Sequence, residues 1–301
     1  MKLGETDLLE RKFVDFYARS SRVPLDVAER DVVLTYVLKI LSEDILASLI
    51  FKGGTCLKKL FFGGSGRFSM DLDFTSAGIS VEELQRQLAN VLNDKQHYEI
   101  KFKIMEENIR RGFGANDESY IAHVNYVHGW NSSDFWLEVS YRETPILAPT
   151  KMHQLEEMYF KYLEFPSFPI KCLEKEELLA EKLRAAFQRL RSRDLYDLYL
   201  FSGRLVDKVR LKKLVVLKCW NVREPFEPEV LFAKISEGEY DWEDLQGLVR
   251  RKSLPSEATV VRKVIAEYSY LSDLESDLLR IIKDSKAHKE SSFVASFKRS
   301  V

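Results

Sequence analysis

Cysteine is scarce in this sequence: three residues in 301, Cys56, Cys172 and Cys219. An odd number with no CxxC spacing excludes a disulfide framework or a zinc site and points to a reducing compartment. Glycine and proline are also sparse. Thirteen glycines and eight prolines make up about 7% of the chain, against roughly 12% in average usage. That excludes collagen-like, low-complexity and disordered classes. Long apolar runs are missing as well. The longest, such as 45–51, fall far short of the ~20 residues of a membrane span. Residues 1–13 lack the apolar core of a secretion signal. A soluble, cytoplasmic protein is expected. Finally, no charge sign dominates: 46 basic and 47 acidic residues give a net −1. This speaks against a protein that grips nucleic acid with its whole surface, and leaves a local basic patch open.

What is present suits a compact, helix-rich protein: 45% hydrophobic and 31% charged residues. Apolar residues recur at helical spacing over 7–50, with Asp26 or Asp31 as a candidate cap for the second helix. Residues 48–52 form a short apolar run that ends in Gly53-Gly54-Thr55. One or two helical turns follow over 55–62, then a glycine-rich loop at 63–66. Residues 69–74 alternate as a half-buried strand does, 81–96 read as helix, and 99–105, 119–127 and 135–141 read as strands. The mixed stretch 145–169 holds four of the eight prolines and is the expected domain boundary. Beyond it helices are expected at 174–192, 194–202, 207–219, near 228–236 and at 256–284, with a frayed tail over 286–301. The expected architecture is α+β: a mixed sheet flanked by helices in residues 1–150, followed by a mainly helical domain in residues 151–301. A ligand cleft between the two is the natural place for a site.

The segment 52–74, KGGTCLKKLFFGGSGRFSMDLDF, carries the most chemistry. Asp71 and Asp73 are two apart on a strand, so both point to one face, while Leu72 and Phe74 anchor the other. Adjacent carboxylates repel, and a hard divalent cation such as Mg2+ or Mn2+ resolves the repulsion. A solvated acidic face is the plainer explanation. Gly53-Gly54-Thr55 precedes a helix, where free backbone N–H groups hold phosphate and the absent Cβ atoms let it approach. An ordinary turn is the plainer explanation there. In this order and spacing the two features reinforce each other.

The two motifs, KGGTxL and RFSxDLDF, resemble those of the AbiEii/AbiGii toxin family, within the DNA polymerase beta-like nucleotidyltransferase superfamily. Sixteen residues separate Gly54 from Asp71, slightly more than the family's usual spacing, and the loop at 63–66 absorbs the excess. The resemblance implies a nucleotidyltransferase fold with Lys52, Gly53, Gly54, Thr55, Arg67 and Ser69 as nucleotide-binding positions. It implies Asp71 and Asp73 as catalytic metal ligands, with a third carboxylate on a neighbouring strand. Glu138, in FWLEVSY, is the candidate.

A second stretch, 174–201, reads EKEELLAEKLRAAFQRLRSRDLYDLYLF. Residues 171–213 hold twelve Lys or Arg and seven Asp or Glu, a local +5. On one continuous helix Lys182, Arg189 and Arg193 share an edge. A solvated charged face is the ordinary reading, and Asp194 and Asp197 match a helix-starting capping box. LLAEKLRA…RxxxRDLYDL also resembles the family's second signature. This implies that Lys182 faces the metal site and binds phosphates, and that Asp194 belongs to the active-site cleft.

The implied activity is transfer of a nucleoside monophosphate from an NTP, with pyrophosphate released, to an RNA acceptor such as the tRNA 3′ end. Growth arrest as a toxin and a cognate antitoxin partner are implied with it. Arg204, Arg210, Lys212 and Lys213 are candidate contacts to acceptor phosphates. Three alternatives stay open: a small-molecule acceptor such as an antibiotic, a non-catalytic nucleotide-binding regulator, and a hydrolase using the same metals. His97, His123, His128, His153 and His288 lack metal-ligand spacing and are assigned no role. Trp220, Trp242, Tyr268 and Tyr270 read as packing residues.

Overall fold

A computed structural model describes residues 9–111, 118–163, 167–250, 254–283, 295, 297 and 299–301. Contacts divide the chain into two units. The first takes Met1–Thr144, Pro149–Cys172 and Gln246–Ser253; the second takes Pro145–Ala148, Leu173–Leu245 and Leu254–Val301.

The first unit begins with α1 (Arg11–Ser21) and α2 (Leu25–Leu41). Neither expected aspartate caps α2. Pro24 stands at the cap, Asp26 lies in the first turn, and Asp31 is buried within the helix. A short turn leads into β1 (Leu49–Lys52), α3 (Gly53–Cys56) and a wider π-helical continuation over Leu57–Phe62. Then come β2 (Leu72–Ser76) and α4 (Val81–Leu92). Ser80 caps α4 by accepting from Glu83 N at 3.2 Å. This helix stops at Leu92 rather than near 96, because Asp94 turns back with φ 55°. β3 (Lys95–His97), β4 (Ile100–Arg111), β5 (Glu118–His128) and β6 (Asn131–Ser140) follow as antiparallel neighbours, and β7 (Thr150–His153) and β8 (Pro169–Cys172) complete the unit.

These strands form one mixed sheet in the order β3-β4-β5-β6-β2-β1-β8-β7. β2 runs parallel to β6, and β1 parallel to β8. The expected break at residue 150 falls inside this sheet-forming segment, because β7 and β8 hydrogen-bond onto it. One sheet face is apolar: Tyr120, Ala122, Val124, Tyr126, Phe135, Leu137 and Val139 are buried. α2 covers it. Glu29 accepts from His128 at 2.6 Å, Tyr126 at 3.0 Å and Asn131 at 3.2 Å, and Arg30 donates to Ser133 at 2.7 Å. By the two-residue period of a strand, His123, Asn125, Val127, Trp136 and Glu138 lie on the opposite face.

The second unit is helical: α5 (Lys175–Gln188), α6 (Ser192–Phe201), α7 (Lys208–Asn221), α8 (Pro228–Glu237), α9 (Glu243–Gln246), α10 (Glu257–Tyr268) and α11 (Ser276–Lys283). Side chains close the helix starts where the sequence offers a carboxylate or hydroxyl. Glu174, Asp207 and Ser256 accept from Glu176 N, Arg210 N and Thr259 N. Glu177 accepts from Ile146 N at 2.9 Å and Leu147 N at 2.8 Å, which ties 145–148 to this unit. Most of the tail expected over 286–301 lies outside the described residues. Among the described residues no helix is long and apolar enough to cross a membrane.

Candidate active site

The acidic residues are placed by strand register. Asp73 on β2 stands opposite Glu138 on β6 and opposite Lys52 on β1. Directly opposed residues of paired strands share a face, so Lys52, Asp73 and Glu138 form one row across three strands. Leu72, Phe74, Leu137 and Val139 are buried on the other face and anchor the row. Asp71 sits just before β2, where its Oδ1 lies 3.4 Å from Trp136 N on β6. Its carbonyl accepts from the Thr55 hydroxyl. Thr55 therefore fixes the start of the acidic strand, and its hydroxyl does not cap α3. Two carboxylates opposed across a strand pair are destabilising by themselves.

The glycines owe their identity to this row. Gly53 has φ +76°, and a Cβ there would lie 2.1 Å from Asp73 Oδ2. The turn and the acidic strand are thus in direct contact. A Cβ at Gly54 would meet Arg67 Nη2 at 2.6 Å and Ser69 Oγ at 2.8 Å. Arg67 and Ser69 are both buried. Lys52, Gly53, Gly54, Arg67 and Ser69 are therefore neighbours, though Gly54 and Arg67 are thirteen positions apart in sequence.

Ion pairs hidden in the core hold the helix that follows. Lys59 Nζ reaches Asp31 Oδ1 at 3.0 Å and Thr35 Oγ1 at 2.7 Å, and Tyr17 donates to Asp31 Oδ2 at 3.0 Å. Burial alone would raise the Asp31 carboxyl, but the Lys59 and then the Lys58 ammonium hold it below its ordinary value. Lys58 pairs with Glu157 and donates to Gly63 O at 2.9 Å. These anchors went unrecognised in the sequence, where Lys58 and Lys59 read as an ordinary helical turn.

The second-unit residues form a cluster of their own. The continuous helix expected through Arg193 does not form. α5 ends at Gln188, and Arg189 adopts extended backbone with φ −143° and ψ 159°. Lys182 is buried rather than displayed on an edge, and Arg184 is buried as well. Lys182 Nζ lies 3.2 Å from Asp194 Oδ1 and 2.7 Å from Asp197 Oδ2. Arg189 Nε lies 2.8 Å from Asp194 Oδ2, and Arg193 Nε 2.8 Å from Asp244. The capping-box reading gives way, because Arg191 is the cap residue and no side chain caps α6. Burial, followed by the Asp194 charge, pushes the Tyr240 hydroxyl up to about 12. Further along, Arg210 meets Glu176 at 3.2 Å, Lys212 meets Glu275 at 3.1 Å, and Lys213 donates to Ser300 O at 2.9 Å. Much of the basic stretch is neutralised within its own unit.

Among the described residues no three carboxylate, imidazole or thiolate groups enclose a metal by themselves. Magnesium does not demand such a cage. It takes one or two carboxylates, with waters and substrate phosphates completing the octahedron. The all-oxygen set of Asp71, Asp73 and Glu138, next to the glycine turn, fits that mode.

A family model described as "Nucleotidyl transferase AbiEii toxin, Type IV TA system" matches residues 19–265. Among solved structures, the chain is similar to MenT4, a nucleotidyltransferase toxin from Mycobacterium tuberculosis H37Rv. The two share 24% identity over 96% of this chain and 99% of that one, at a TM-score of 0.80. A putative nucleotidyltransferase from H. pylori shares 15% identity over 82% of this chain and 95% of that one, at a TM-score of 0.50. JHP933 from Helicobacter pylori shares 16% identity over 92% and 99%, also at 0.50. At these identities the solved structures speak for the fold. No curated protein matches the sequence.

Proposed function

The chain belongs to the AbiEii family of nucleotidyltransferase toxins of type IV toxin–antitoxin systems, and from that premise we propose that it modifies RNA in the cytoplasm. In this reading a nucleoside monophosphate passes from an NTP to an RNA acceptor, the tRNA 3′ end being the first to test, and growth arrest follows. An NTP substrate and an antitoxin partner come with the family.

The observation that carries the reading is the contact of Gly53 with Asp73 in a row that also holds Glu138. That contact sets the glycine turn, the phosphate site of this reading, beside the carboxylates. An acceptor hydroxyl oxygen forms the new bond to the α-phosphorus. The bond from that phosphorus to the bridging oxygen breaks, pyrophosphate leaves, and the hydroxyl proton passes to a carboxylate of the row. Gly53 and Gly54 admit the phosphates, while Arg67, Ser69 and Lys52 supply donors and positive charge. Asp71, Asp73 and Glu138 would hold Mg2+ or Mn2+, which when bound offsets phosphate charge and makes the hydroxyl more acidic. Positioning and charge neutralisation supply most of the catalysis in such transfers. Lys182 enters through the family resemblance, and its ammonium is held by Asp194 and Asp197.

The test is transfer from each α-labelled NTP to total RNA in magnesium. The wild-type chain should label RNA with at least one nucleotide, and the Asp71→Ala/Asp73→Ala double variant with none. Absence of any labelled acceptor for all four nucleotides, or equal labelling by the double variant, rejects the reading.

A further inference from the structure

The open face of the sheet does not end at the acidic row. Trp136 precedes Glu138 by two residues on β6, so both side chains share this face. Trp136 keeps 42% of its surface exposed. It stacks on His123 of β5 with ring centroids 4.3 Å apart and planes at 13°. His123 is braced in turn by Asp134, 3.6 Å from its Nε2. A rigid indole is thus held beside the carboxylates, with its own backbone N–H turned to Asp71.

Cations stand farther along the same face. Register runs from Trp136 to His123 and on to β4, where exposed Glu106 opposes His123, and beyond it Lys103 opposes Asn125 and Lys101 opposes Val127. Lys101 and Lys103 are exposed, and with Lys95, Asp94, Asn125 and Val127 they line a pocket of about 460 Å³. From strand spacings, Lys103 and Lys101 lie roughly 12 and 17 Å from Trp136. That is the reach of a few nucleotides of single strand.

We infer that this face is the acceptor track: Trp136, backed by His123, stacks a base beside the reacting end of a single-stranded polynucleotide, and Lys101 and Lys103 take the phosphates behind it. The proposal rests on the transferase reading and names where its acceptor lies. The strand is single because a base paired and stacked in a duplex cannot present its face to an indole. Its polarity follows from the proposed reaction. The terminal hydroxyl belongs at the acidic row, where the α-phosphorus is attacked, and the strand's own phosphates run back toward the lysines. Of the candidate acceptor contacts in the helical unit, Arg210 and Lys212 already meet Glu176 and Glu275.

The probe is a fluorescein-labelled RNA hairpin with a single-stranded 3′ overhang, compared with the same hairpin made blunt, read by anisotropy with the full chain. Trp136→Ala should weaken overhang binding about 5- to 100-fold, with the melting temperature unchanged, and Trp136→Phe should recover most of it. Lys101→Gln/Lys103→Gln should lower the salt slope by about 1.4. In the transfer assay Trp136→Ala should raise the acceptor KM and leave the NTP KM alone. Trp136→Leu, which keeps apolar bulk without an aromatic face, carries the test if the alanine variant does not fold. Overhang binding as tight as wild type in these variants overturns the proposal. So does a rise confined to the NTP KM, which would assign the indole to the incoming base. If no acceptor is ever labelled while overhang binding still depends on Trp136, the track stands and the transferase reading fails.

Discussion

Alanine at Gly53 asks whether the glycine turn and the acidic row act as one device. The added Cβ would lie 2.1 Å from Asp73 Oδ2 and 2.7 Å from its Cγ. To reach even the shortest tolerated contact of 3.0 Å the oxygen must retreat by about 0.9 Å, and misplacement near 1 Å costs on the order of 100-fold in rate. The stability cost has two sources. A left-handed backbone costs an L-residue about 1–2 kcal/mol, and forcing Asp73 off its rotamer adds about 0.5–1.5 kcal/mol. Together they should lower the melting temperature by roughly 4–10 °C. Gly54→Ala is the contrast. Its φ is not left-handed, and its Cβ would meet the movable ends of Arg67 and Ser69. It should melt within about 2 °C of wild type and lose about tenfold in transfer. Gly129→Ala, with nothing within 4 Å of the new Cβ, is the control. The decisive arm places Gly53→Ala in an Asp73→Gly background, where the melting cost should shrink to the backbone share of about 1–2 kcal/mol. Calorimetry and labelled-NTP transfer read both quantities. Wild-type transfer by Gly53→Ala, or the same melting cost in both backgrounds, refutes the reasoning.

Asp73→Asn and Glu138→Gln should each reduce transfer at least 100-fold, and Glu138→Gln should stabilise the fold by about 0.2–1 kcal/mol by relieving a like-charge pair across β2 and β6, a gain that Asp73→Asn offsets by giving up its cross-strand neighbour Lys52. In parallel, magnesium should raise the wild-type melting temperature and not that of Asp73→Asn. Lys59→Met should cost about 3–5 kcal/mol in urea unfolding by stranding the Asp31 charge, and Lys59→Met/Asp31→Asn should recover most of that loss. The Asp31 carboxyl also sets a pH limb. Its folded-state value lies below the ordinary one, so the unfolded chain takes the proton first. The stabilisation is complete above the usual carboxyl range near pH ~4 and is lost as pH falls through the folded value. Urea midpoints of Asp31→Asn should therefore change less with pH over that acid range than those of wild type.

The parts of this site that were legible in the sequence are the local ones. A period of two set Asp73 apart from Leu72 and Phe74 and Glu138 apart from Leu137 and Val139, whereas Asp71 lies just before β2, outside that period. Two glycines before an apolar helix marked the turn. What stayed hidden depends on partners far along the chain. Lys59 finds Asp31 and Lys58 finds Glu157, 28 and 99 positions away. Nothing local distinguishes these lysines from solvated ones. The break after Gln188 carries no glycine or proline, so periodicity ran through it. Strand β8 begins on Pro169 within a proline-rich stretch that reads as linker, and proline is tolerated at the first residue of a strand. His123 and Trp136 were visible only as members of alternating strands. Their stacking follows from the β5–β6 register, which no single-strand pattern contains.

The charge bookkeeping of the sequence meets the same limit, and the consequence is functional. A +5 stretch suggests a cationic surface only if its side chains remain unpaired. In the folded chain Lys182, Arg189 and Arg193 meet Asp194, Asp197 and Asp244, and Lys218 is buried against Glu177 at 2.7 Å. Such pairs fix the helices of the second unit relative to one another and hold several of its cations in place, Asp244 and Glu275 being the carboxylates that come from outside the +5 stretch. Lys101 and Lys103 attract no notice by composition, yet they stand exposed on a sheet face that also carries an aromatic stack and a carboxylate row. For polyanion recognition the relevant quantity is the cationic charge left unneutralised beside a surface that can stack bases. On the proposal above, the sheet face with the Trp136–His123 stack is where an acceptor strand should lie, because it is the stack that would hold a base beside the carboxylate row.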